Sequence, residues 1–241
     1  MSTSDWSAIP ETSSIPENDK ECLFVWIDIL GFSDWLEDTN QYSLLSSLLN
    51  RFRKMFEDIK LPATYKMISD GLILQLNPGI TTNEGVSSFF NKIKTIQQSF
   101  LQDGIFLRGG CAAGTRFKED VENYISNGLA RAYKLESSSI SWPIIGTDEK
   151  NLSNIKKWYR EVDWNVIFAQ AKSVRGADIF YLDYLVDLDQ ETQKKAYFII
   201  DEKIKEKKDC PGVQHKFFWL RDRLEQINKN LISLRCPSCS K

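Results

Sequence analysis

The hydrophobic and polar positions of this chain fall into blocks whose period changes along its length. Leu23 to Ile29 is a nearly continuous apolar run of strand length, stopped by Gly31. From Asp34 to Ile59 apolar residues return at three-to-four spacing (Leu36, Leu44, Leu45, Leu48, Leu49, Phe52, Met55, Phe56), a stripe that predicts an amphipathic helix. Ser33 offers it an N-cap hydroxyl and Pro62 lies past its end. Two short apolar runs, Tyr65 to Ile68 and Leu72 to Leu76, flank Ser69-Asp70-Gly71, and Asp-Gly between such runs predicts a hairpin. A second stripe (Val86, Phe89, Phe90, Ile93, Ile96, Phe100) predicts a helix from Glu84 to Gln102. Ile105 to Gly114 then reads as a strand rich in Gly and Ala, where backbone must approach a neighbour closely, and Gly128 to Glu136 reads as a short helix. The order strand, helix, hairpin, helix, strand predicts an α+β domain of the ferredoxin-like kind.

Beyond this core the pattern is less regular. Trp142 to Ile145 reads as a strand, Asn151 to Arg160 as a helix, and the aromatic-rich Phe180 to Val186 stays open in type. Gln190 to Lys208 and Val213 to Leu234 predict two long amphipathic helices parted by Cys210-Pro211-Gly212. The expected organisation is a disordered tail over 1–20, a core over 21–150, the remainder of the domain with a helical C-terminal extension over 151–235, and a flexible tail over 236–241.

Charge and composition narrow the chemistry. The chain has 241 residues with 33 acidic and 31 basic side chains, so no basic excess is available to drive nucleic-acid binding. The longest apolar stretch is far short of the ~20 residues that span a bilayer, and the first twenty residues lack the pattern of a signal peptide. Five cysteines without framework spacing fit a reducing compartment, and the expected location is cytoplasmic, without membrane or nucleic-acid partners. The sole histidine, His215, leaves no material for His-dependent triads or multi-His metal sites. No phosphate-binding P-loop, dinucleotide fingerprint or nucleophile elbow occurs. Cys236-Pro-Ser-Cys239 is a single C-x-x-C near the end, better read as a reduced tail than as zinc ligation.

Two aspartates remain. Alternation along the first strand puts Asp28 at its end, on the face of Phe24 and Trp26, and Asp70 sits in the hairpin turn. Taken alone, each is explained by hydrogen bonds to turn amides. In a ferredoxin-like unit, however, the first strand and the hairpin share one sheet, so the two carboxylates can converge. Such a pair stays charged best with a hard divalent cation between its oxygens. The Gly31-Phe32-Ser33 segment then leads into a helix N-terminus, a favourable seat for phosphate.

The string Asp28-Ile29-Leu30-Gly31-Phe32-Ser33, followed by Ser69-Asp70-Gly71, Arg108-Gly109-Gly110-Cys111-Ala112-Ala113-Gly114 and Gly128 to Glu136 with Pro143 after it, resembles the catalytic core of class III nucleotide cyclases over about half the chain. Ser-Asp in the hairpin, Arg-Gly-Gly on the strand, Ala-Tyr-Lys-Leu-Glu on the helix and Lys216-Phe217-Phe218-Trp219-Leu220 narrow the likeness. They resemble the bacterial pyrimidine cyclases of Pycsar anti-phage defence, which make cyclic UMP or cyclic CMP for a separate effector protein.

This resemblance implies a ferredoxin-like cyclase core and a homodimer whose sites form between two copies. It implies two divalent ions, Mg²⁺ or Mn²⁺, at Asp28, Asp70 and the carbonyl of Ile29. The amides of Gly31, Phe32 and Ser33 would cradle phosphates, Tyr65 and Lys66 would meet the base, and Arg108 would lie beside the phosphates. The family's Asn and Arg, four residues apart on the helix, match Asn127 and Arg131 by spacing but Ala130 and Lys134 when aligned on Leu135-Glu136. The second register makes Lys134 the charge stabiliser and leaves the Asn role unfilled. The implied substrate is UTP or CTP, with a purine (ATP or GTP) cyclase and a catalytically silent nucleotide-binding module as alternatives.

Overall fold

The computed structural model describes residues 21–32, 42–57, 63–79, 81–119 and 124–234. Strand β1 (Glu21–Ile29) leads to helix α1 (Tyr42–Glu57), the hairpin β2 (Ala63–Ile68) and β3 (Gly71–Leu76), helix α2 (Asn83–Leu101) and strand β4 (Leu107–Glu119). These four strands lie in the order β2-β3-β1-β4, antiparallel throughout, which is the ferredoxin-like arrangement of an α+β domain. The short strand β5 (Tyr124–Ser126) pairs with β4 and feeds helix α3 (Asn127–Ser138). Strand β6 (Ile145–Asp148) adds parallel to β4, and helices α4 (Glu149–Trp158) and α5 (Trp164–Ile167) precede the pair β7 (Phe168–Lys172) and β8 (Asp178–Leu182). Strand β8 joins β6 antiparallel, so the sheet runs unbroken across residue 150. Helices α6 (Gln190–Glu206) and α7 (Pro211–Ile227) and a 3₁₀ turn (Lys229–Leu234) complete the described chain.

Both faces of the sheet are covered, which is why β1 reads as a continuous apolar run rather than an alternating one. On one face Leu23, Val25 and Ile27 pack with Leu48 and Phe52 of α1 and with Val86, Phe89, Ile93 and Phe100 of α2. On the other, Phe24 and Ala112 pack with Ala132 and Leu135 of α3, and this layer continues into Tyr197, Ile200, Phe217, Leu220 and Leu224 of the α6–α7 pair. Thr82 caps α2 by accepting a 3.1 Å hydrogen bond from the Gly85 amide.

The predicted elements of the first half all form, although 33–41 and 58–62, including Ser33 and Pro62, lie outside the described residues. So do both terminal tails and the Cys236–Cys239 pair. Three expectations need correction. Trp142 to Ile145 is not a strand: β6 begins at Ile145, and Trp142 owes its burial to stacking on Trp219 of α7, with ring centroids 4.5 Å apart. The helix expected over Val213 to Leu234 stops at Ile227, capped at Asn228, before the 3₁₀ turn. Phe180 falls in β8, and its partner β7 was not anticipated because Phe168-Ala-Gln-Ala-Lys172 carries a single bulky apolar side chain. No helix among the described residues is long and apolar enough to cross a membrane.

Candidate active site

The register of β1 against β4 sets Asp28 directly opposite Arg108, so both side chains emerge on the face that carries Trp26. The β2–β3 connection is a two-residue turn, Ser69-Asp70, since Ile68 pairs with Gly71. Ser69 holds a left-handed φ of 56°, a conformation that favours glycine and is tolerated here in the turn that carries Asp70. Gly71 is the first residue of β3. A Cβ there would lie 2.3 Å from the Trp26 ring, so the hairpin closes onto that ring only with glycine at this position.

This closure brings Asp70 near enough to Asp28 for the two carboxyl groups to act on each other. The Asp28 carboxyl is pushed up to about 7 by burial first, then by its hydrogen bond to Asp70 and the charges of Asp70 and Glu136, with Arg108 opposing. The Arg108 guanidinium lies 3.7 Å from the Asp28 carboxylate and forms a close ion pair with Glu136, whose side chain is 4% exposed. Burial raises the Glu136 carboxyl, with Arg108 and Lys216 pulling the other way. Lys216, from α7, is lowered by burial and by repulsion from Arg108. Five charged groups from β1, the hairpin, β4, α3 and α7 thus meet at one end of the sheet.

Asp28 and Asp70 form an oxygen-only donor pair of the kind that suits Mg²⁺ or Mn²⁺, while no group of three or more His, Cys, Asp or Glu side chains able to hold a metal ion occurs among the described residues. The neighbouring backbone is open. Gly31 has a left-handed φ of 81°, and among the described residues nothing lies within 4 Å of where its side chain would be. Phe32 is buried in the α1–α2 face of the core and anchors that turn.

The other candidate positions are distributed more widely. Lys66 pairs opposite Ile73, on the sheet face of Trp26, whereas Tyr65 shares its face with Ala63 and Met67, which pack into the α1–α2 core. Tyr65 therefore emerges on the face opposite the carboxylates. Arg131 donates a 3.0 Å hydrogen bond to the Ala113 carbonyl, and the Asn127 side chain accepts one of 2.8 Å from the Thr115 amide. Both are tied to the middle of β4, past Arg108. Lys134 is exposed, and it is not among the charges that shape Asp28 in its own chain.

Glu136 and Lys216 were not singled out as site residues from the sequence. Glu136 carried a signal: it falls on the buried stripe of α3 with Gly128, Ala132 and Leu135, where a carboxylate requires a cationic partner. Lys216 sits more than a hundred residues from Arg108, and no local pattern joins them.

No protein-family model matches this chain, and no curated protein sequence matches it. Solved structures with a similar chain course include the adenylyl cyclase CyaB from P. aeruginosa, at 19% identity over 71% of this chain and 96% of that one, with a TM-score of 0.44. Another is the dimeric guanylyl cyclase domain of the RhoGC fusion protein from the aquatic fungus Blastocladiella emersonii, at 14% identity over 68% and 94%, with a TM-score of 0.47. A third is an adenylate/guanylate cyclase/hydrolase from Silicibacter pomeroyi, at 17% identity over 67% and 95%, with a TM-score of 0.44.

Proposed function

We propose that the protein is a nucleotide cyclase that converts UTP or CTP to the 3′,5′-cyclic monophosphate and diphosphate, as a signal in anti-phage defence. The observation that carries this reading is that β1 and the β2–β3 turn bring Asp28 and Asp70 to the same end of the sheet beside Arg108, from positions far apart in the chain. The order of motifs around these residues supports the cyclase class, and the pyrimidine and defence assignments rest on the narrower resemblance.

Asp28 and Asp70, with the Ile29 carbonyl, would hold Mg²⁺ or Mn²⁺. Bound there, divalent ions supply charge neutralisation and make the ribose 3′-hydroxyl easier to deprotonate. The chain's own groups do the rest. The amides of Gly31 and Phe32 orient the phosphates, with Ser33 assigned to the same cradle. Arg108, held by Glu136, stabilises the negative charge that grows on the α-phosphate oxygens. Lys66 meets the base from the carboxylate face, and the orientation of β2 makes it a better base contact than Tyr65. In the reaction the 3′-oxygen bonds to the α-phosphorus, the bond from that phosphorus to the bridging oxygen breaks, diphosphate leaves, and the 3′-hydroxyl proton passes to solvent.

Lys134 is exposed and is not among the charges acting on its own Asp28, so it would serve the site of a second copy in a homodimer. Ile68 and Tyr133, 50% and 54% exposed beside the hairpin and Trp26, supply apolar surface for that contact.

The test is to incubate purified protein with each nucleoside triphosphate and Mn²⁺ or Mg²⁺, and to resolve products by mass. A cyclic pyrimidine nucleotide that disappears in Asp28→Asn and Asp70→Asn is the expected result. A cyclic purine would replace the pyrimidine assignment, and no product from any triphosphate by a folded dimer would leave a silent nucleotide-binding module.

A further inference from the structure

A second hollow adjoins the carboxylate pair. Between the end of α3, the β7–β8 turn and the start of α7 lies a cavity of about 390 Å³. Its polar lining comprises Arg108, His215, Lys216, Ser137, Ser138 and Ser141, with no carboxylate among the lining side chains. The Ser137 and Ser138 hydroxyls donate to the Lys134 carbonyl, closing the end of α3. The donors left for a guest are Arg108, Lys216, His215 and Ser141. Gly212, in the first turn of α7, lines the same cavity, and Cys210 gives that turn no side-chain cap. The Val213 and Gln214 amides donate to the Cys210 carbonyl and Pro211 has no amide hydrogen, so α7 presents its flank, with His215 and Lys216, to the cavity.

Arg108 and Lys216 are both partly buried and line the same cavity. Glu136 offsets one positive charge from beneath. The Lys216 ammonium, the outward face of Arg108, the His215 ring and the Ser141 hydroxyl match a small anionic guest with many acceptor oxygens. At the small end of ligand cavities, the space is tight for a whole nucleotide. Arg108 joins it directly to Asp28, 3.7 Å away.

We infer that this cavity is a subsite for the diphosphate leaving group, and that Lys216 of α7 is one of its binding residues. The assignment deepens the cyclase reading and rests on it. It gives the C-terminal helical pair a part in the reaction: diphosphate released beside Asp28 moves onto Arg108 and Lys216 and departs past α7.

The test is binding of inorganic diphosphate to the full chain, by calorimetry in excess chelator, so that no divalent ion at the aspartates contributes. The wild-type protein is expected to bind. Lys216→Met should weaken binding at least roughly tenfold, the worth of one charge-assisted contact, and Lys216→Arg should restore most of it. Diphosphate should also protect the Lys216 amine of the unmutated protein from acetylation, read by peptide mass, which needs no substitution to fold. No binding, or unchanged affinity in a folded Lys216→Met variant together with unprotected Lys216, overturns the subsite. If diphosphate binds through Lys216 but no triphosphate is cyclised, the subsite stands as an anion site and the cyclase reading falls. If cyclisation proceeds and Lys216 is indifferent to diphosphate, only the subsite falls.

Discussion

Asp28 holds its proton to a far higher pH in the folded chain than an ordinary aspartate, near 7 against ~3.9. Between these values the native state binds a proton that the unfolded state has lost, so unfolding free energy falls as pH rises through the window and levels off above it. Glu136, raised by burial, acts in the same direction. Asp28→Asn removes the Asp28 contribution. In chelator its thermal midpoint relative to wild type should climb from about pH 4 to about pH 7 and then stay constant, and a gap that is flat across this range would contradict the closeness of the two carboxyl groups. The same pair makes a second prediction at pH 8. Mn²⁺ at about a hundred times its dissociation constant should raise the wild-type midpoint by roughly 5 to 10 °C and leave Asp28→Asn and Asp70→Asn unmoved.

At the scale of elements, the placement of the site depends on how closely α3 lies on β4. A Cβ at Gly110 would come within 1.9 Å of the Ala132 carbonyl oxygen, and one at Gly114 within 2.3 Å of the Gly128 Cα. These neighbours are backbone and cannot rotate away. Gly110→Ala should therefore lift α3 and lower stability by about 1–3 kcal/mol or more, measured by denaturant unfolding. Because α3 carries Glu136, which holds Arg108, activity should fall further than the folded fraction does. The Gly-Ala-rich run predicted some such approach, and the periodic stripes predicted α1 and α2, because one-sided burial writes itself into spacing. What was not legible came from packing between distant segments. Trp142 is apolar because α7 stacks on it, β7 is too polar to declare itself, and Lys216 reaches Arg108 only through the α6–α7 turn. Asp28 and Asp70 could be nominated because the strand order of a ferredoxin-like unit brings the first strand beside the hairpin. No local signal marks the face of Tyr65, and alternation along β2 turns it toward the α1–α2 core.

At the scale of the whole molecule, one copy of the chain leaves Lys134 away from its own aspartates, and a two-copy site can be tested by complementation. In a head-to-tail dimer each site takes its aspartates from one subunit and Lys134 from the other. A chain carrying Asp70→Asn and a chain carrying Lys134→Ala should each be nearly inactive alone. Dissociated, mixed in equal amounts and reassociated, half of the dimers pair the two variants. Each mixed dimer has one site with both defects and one with neither. Activity should then recover to roughly a quarter of wild type, since half the dimers each carry one intact site of two. Native mass measurement establishes that mixed dimers have formed. Mixed dimers without recovered activity would exclude Lys134 as a contribution from the second copy. Recovery with Arg131→Ala in place of Lys134→Ala, and none with Lys134→Ala, would assign the role to the other register of α3.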